Sequence, residues 1–186
     1  GNRSVALARE LGARRFEIES TLLRGLALHG LGRHDEAVTT LEEAVERARS
    51  EAPTYCGPWA LAALAWLAGD EERGRALLEE GEGLLARGSV SHNHFEFRML
   101  AIEFLLAARD WPAVRHHAAA LAAYTRDEPL PWSDLVIARA EALAAAGKAT
   151  RRKVNAGRLL DLQQQAERMG FVALLPGLRD ALQRSA

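Results

Sequence analysis

Small and apolar residues recur along the chain in steps of three and four. Between residues 31 and 48 a glycine turn (Gly32) and an acidic start (Asp35, Glu36) lead into Ala37, Leu41, Ala44 and Ala48. That spacing places the four side chains on one face of a helix over about Asp35–Ser50. Upstream, Gly25 and Leu28 belong to a second apolar helix over Glu17–Gly30 that would fold back on the first. Residues 3–12 read as one more helix with Val5, Leu7, Ala8 and Leu11 on a stripe, either the second half of a broken unit or a cap, ended by Gly12.

The same alternation continues downstream. A unit opens at Cys56-Gly57-Pro58-Trp59, with Pro58 expected in a first helical turn, where its missing N–H loses no bond. Its helix runs to Leu67, turns at Gly69, and continues with Asp70 as N-cap and Leu78 and Leu85 on the apolar face. Gly74 and Gly81 stand where the previous unit has alanines, which calls for close helix packing to offset about 1 kcal/mol of lost propensity each. A third unit runs from Ser91 through Phe95, Met99, Ile102 and Leu106, turns at Arg109, and ends in a short helix from Pro112 to Tyr124. A proline-bearing loop, 125–131, precedes a fourth, Ser133–Ala146 paired across Gly147 with a helix from Arg152 to Met169. Leu178 and Leu182 mark a final helix. The turn positions Gly32, Gly69, Arg109 and Gly147 are 37, 40 and 38 residues apart, and Gly-Pro-Trp at 57–59 echoes Leu-Pro-Trp at 130–132.

Composition sharpens the class. The chain holds 36 Ala and 29 Leu against 11 Ile plus Val, which favours helix over strand throughout. With 24 basic and 25 acidic side chains the net charge is -1, so no global attraction to nucleic acid or an anionic membrane follows. No apolar run reaches the ~20 residues that span a bilayer. The start, GNRSVALARELG, lacks the form of a signal peptide and reads as the inside of a helix, so the chain is expected to be part of a longer protein. The single cysteine, Cys56, excludes an internal disulfide and suits a reducing cytoplasm.

Candidate chemistry is sparse. Gly81-Glu82-Gly83-Leu84-Leu85-Ala86 has the letters of a dinucleotide fingerprint but falls inside a helix instead of after a strand. Gly147-Lys148 lacks the rest of a phosphate loop. His92 and His94, and His116 and His117, are not spaced to share one helix face, so no metal site is expected. His92-Asn93-His94 reads instead as a helix start bonded to nearby backbone. Cys56 reads as a packed thiol, and Arg151-Arg152-Lys153 as a solvated helix start. No catalytic constellation and no cofactor are expected.

A glycine in the first helix, a glycine in the turn, then Ala, Leu and Ala in the second resembles the tetratricopeptide repeat, a unit of about 34 residues. The resemblance implies an all-α fold: a right-handed α-solenoid of antiparallel helix hairpins. Its units would lie at 16–51, 55–88, 91–125 and 132–169, with a C-terminal capping helix over 171–184, in one domain. In such arrays the first helices line a concave groove that holds a partner. The register then nominates Glu19, His29, Trp59, Trp66, Glu96, Met99, Glu103, Asp134, Ile137 and Glu141 as groove residues. Acidic groups mixed with Trp and Met would suit a partner offering Lys or Arg and apolar anchors. Trp59 and Trp66 fit interhelical packing equally well.

Cys56-Gly57-Pro58-Trp59-Ala60-Leu61, Glu80-Gly81-Glu82, Ser91-His92-Asn93, Tyr124-Thr125-Arg126 and Glu128-Pro129-Leu130-Pro131-Trp132 further resemble the C-terminal repeats of bacterial proteins that join a class III adenylate/guanylate cyclase domain to a nucleotide-binding ATPase domain. Asp127 departs from the proline or alanine expected there. The cyclase and ATPase motifs are absent from this stretch. What the resemblance implies is a non-catalytic module of a cytoplasmic signalling protein that binds a protein, a peptide or other domains of its parent chain. A sensor for a small ligand is the alternative.

Overall fold

The computed structural model describes residues 2–148 and 155–185, and among these the chain is helical with no strand. The helices are α1 (Asn2–Glu10), α2 (Arg14–Gly30), α3 (His34–Glu51), α4 (Pro53–Leu67), α5 (Glu71–Ala86) and α6 (Ser91–Ala107). There follow α7 (Trp111–Tyr124), α8 (Pro131–Lys148), α9 (Ala156–Met169) and α10 (Leu175–Ser185), the last preceded by a 3-10 turn, Val172–Leu174. Two compact units divide the chain, Gly1–Phe104 and Leu105–Ala186.

In the first unit consecutive helices pack as antiparallel hairpins. Gly25 of α2 lies against Leu41 of α3, where an added Cβ would meet the leucine at 2.8 Å. Farther along the same pair, Arg47 of α3 reaches Glu17 near the start of α2. Gly57 of α4 meets Leu84 of α5, and on the next interface Gly81 and Gly74 of α5 receive the rings of Phe97 and Phe104 from α6. Alternate helices run parallel, so that partners recur at a nearly fixed separation. Tyr55 Oη donates to Glu19 at 3.0 Å across 36 residues. Arg49 pairs with Glu80 at 2.6 Å, and Arg73 with Glu42 at 2.7 Å, both across 31 residues. The core is built of Ile18, Leu22, Leu41, Leu61, Leu64, Phe97 and Ile102, with α4 buried along most of its length.

The turns explain the spacing read from sequence. Gly32, Gly69 and Arg109 all hold positive φ, at 75°, 69° and 56°. At Gly32 and at Arg109 two bonds close the helix end: Arg33 N–H to Leu28 O and Gly32 N–H to His29 O, then Asp110 N–H to Leu105 O and Arg109 N–H to Leu106 O. Both have the left-handed Schellman geometry that glycine ordinarily supplies. Asp70 caps α5 by accepting from Arg73 N–H at 3.0 Å.

Several expectations need correction. The α4 helix begins at Pro53, so Pro53 opens that helix and Pro58 lies in its interior, not its first turn. Gly147 is not a turn: α8 continues through Lys148, and Gly147 makes room for the Trp111 ring in the second unit. Pro131 is the first residue of α8, where its missing N–H loses nothing. In α1 only Val5 and Ala8 are buried; Leu7 and Leu11 are 54% and 72% exposed. The helix ends at Glu10, so Leu11 belongs to the turn. The Arg151-Arg152-Lys153 cluster and the expected start of the helix at Arg152 lie outside the described residues.

In the second unit α7 packs on α8, α8 on α9 and α10, and α9 on α10. The buried Arg139 of α8 donates from Nε to Leu174 O at 2.9 Å, which ties the 3-10 turn to α8. Asn155 caps α9, and Gly170, at φ 77°, ends it.

Candidate functional site

Seven of the nominated residues fall on α2, α4 and α6 of the first unit, and three on α8 of the second. On α6 the stripe His92, Glu96, Met99 and Glu103 follows helical spacing, and all four are half-buried. Glu19 and His29 on α2 and Trp66 on α4 are also half-buried, whereas Trp59 is 8% exposed. Trp59 is therefore a packing residue, and Trp66 keeps one side open. On α8, Asp134 and Glu141 are exposed and Ile137 is half-buried. Glu141 borders a cavity of about 310 Å³ that also involves Arg158 and Leu159 of α9.

The α2, α4 and α6 residues are joined by aromatic contacts. The His92 ring stands edge-on to Tyr55 at 5.5 Å and to Trp59 at 6.0 Å. Phe16 meets Tyr55 at 6.3 Å, and the Arg15 guanidinium lies 5.2 Å from the centre of the Tyr55 ring. Burial first, then the hydrogen bond to Glu19, holds the Tyr55 hydroxyl above its ordinary pKa. Near the α2–α3 turn, His29 packs edge-on to Trp66 at 5.0 Å and faces His34 at 6.0 Å. Burial, then the neighbouring His34, lowers the His29 pKa.

Beneath this face lies the Asn93 amide, fully buried. Pro58 has no N–H for Thr54 O, four residues earlier. Asn93 Nδ2 donates to Thr54 O at 3.3 Å and to Tyr55 O at 2.8 Å, and the Trp59 N–H donates to Asn93 Oδ1 at 3.3 Å. Val90 N–H adds a bond to Thr54 O at 3.2 Å. One side chain of α6 thus satisfies the opened backbone of α4. Sequence reading took Asn93 for a local helix-start residue; its partners lie 34 to 39 positions away. The mid-helix proline was the available signal.

Two side-chain atoms on this face lack a hydrogen-bond partner although they are shut off from solvent: Trp59 Nε1 and His92 Nε2. Glu96, one turn along α6 from His92, has its pKa raised by burial alone. Cys56 sits deeper, fully buried against Ile18, Ala48 and Ala52, with burial pushing its thiol pKa up to about 12. It is inert as a nucleophile at neutral pH.

Sequence reasoning missed a buried carboxylate at the other end of α2. Glu17 is bonded by Arg47 at 2.7 Å and by Arg9 at 2.8 Å, joining α1, α2 and α3. The Arg47 hydrogen bond holds its pKa down against the opposing effect of burial. On the opposite side of α4, a cavity of about 440 Å³ opens between α3 and α5 over Leu64, edged by the Arg49–Glu80 and Arg73–Glu42 pairs. Those four charges neutralise one another. Among the described residues no group of three or more His, Cys, Asp or Glu is placed to hold a metal ion, and no helix is long and apolar enough to cross a membrane. The chain matches no family model, no curated protein and no solved structure.

Proposed function

We propose that the chain is a non-catalytic interaction module. It holds a protein or peptide, or another domain of its own parent chain, on the face shared by α2, α4 and α6. In this reading the hairpins are tetratricopeptide-like units of a right-handed solenoid, and the parent is a cytoplasmic bacterial signalling protein.

The observation that carries the reading is the run of half-buried residues at helical spacing on α6, His92, Glu96, Met99 and Glu103, with Glu19, His29 and Trp66 half-buried on α2 and α4. These residues supply the mixed polar and apolar surface that peptide anchors use.

Capture of the parent's other domains by the immobilised chain tests the proposal. Glu19→Lys and Glu103→Lys should weaken capture, while Glu72→Lys, exposed on α5, should not. Equal capture by all three variants would remove the face from the proposal. A small-ligand sensor is the second reading, favoured by the half-buried Trp66, whose ring meets His29 at 5.0 Å. A metabolite that raises the melting temperature and shifts tryptophan emission, with no capture of any domain, would decide for it.

A further inference from the structure

We draw no further inference here: the strongest candidate, the apolar surface at the α1–α2 end of the first unit where Leu7, Leu11, Phe16 and Leu23 stand exposed, carries none, because nothing in the structure shows what covers it.

Discussion

Gly81 and Phe97 are in direct contact across the α5–α6 interface: the aromatic ring occupies the space that a Cβ on the glycine would need. Two residues on, Gly83 has nothing closer to such a Cβ than the end of Arg87, at 3.8 Å. The two glycines share a helix and a propensity penalty but not an environment. Gly81→Ala should destabilise by about 1–3 kcal/mol through overpacking. Gly83→Ala should stabilise by up to ~1 kcal/mol. Urea denaturation of the pair checks both signs, and equal shifts would show that packing does not decide the first.

Asn93 stands in for the hydrogen bonds that Pro58 removes from α4. Asn93→Ala should cost about 3 kcal/mol, because it strands buried backbone groups. Pro58→Ala restores an N–H to Thr54 O and lets the helix close on itself. The cost of Asn93→Ala should therefore fall by about 1 kcal/mol in the Pro58→Ala background. Strictly additive melting data from the double-mutant cycle would contradict the coupling.

Glu17 and Glu96 should bend the pH profile of stability in opposite directions. The pKa of Glu17 is lowered from 4.5, chiefly by Arg47, so its contribution is present above 4.5 and disappears as pH falls through the folded value. The pKa of Glu96 is raised from 4.5 by burial, so stability is fullest below 4.5 and declines as pH rises through the folded value. Glu17→Gln should flatten the acid limb, and Glu96→Gln the decline above it. Denaturation midpoints from acid to neutral pH give the test. At neutral pH, loss of the Glu17 ion pairs should also cost about 2 kcal/mol, since one partner, Arg47, is itself largely buried.

Arg109 holds φ 56° where the first two turns have glycine. The left-handed region costs an L-residue about 1–2 kcal/mol. Arg109→Gly should release that strain, with a net gain of about 0.5 kcal/mol after the added freedom of the unfolded chain. Gly32→Ala, at φ 75°, should lose about 1 kcal/mol. A lower melting temperature for Arg109→Gly would mean that the Arg109 side chain contributes more than its backbone costs.

Helical class and hairpin order were legible because both depend on short-range pattern. The alanine and leucine faces, the Asp70 cap and the turn positions Gly32, Gly69 and Arg109 can be read from neighbouring letters, and the glycines at 74 and 81 announced close packing. Pro58 and Gly147 were misplaced for one reason: the role of each depends on a residue far along the chain, Asn93 bonding the carbonyls that precede Pro58 and the Trp111 ring needing the space that Gly147 leaves. The Arg9–Glu17–Arg47 group was invisible on the same grounds, since its charges look like solvated helix surface until α1, α2 and α3 converge. The residues on α2, α4 and α6 could be nominated from register, but which polar atoms there lack partners depends on atomic positions.

The carbonyls of Thr54 and Tyr55 are completed by a residue two helices further on. The α4–α5 hairpin is therefore not an interchangeable brick. Grafted elsewhere, or left at the end of a shortened array, it would carry an open wound in its backbone that its own residues cannot close. In this region the chain can be lengthened or trimmed only if α6 travels with the pair it completes.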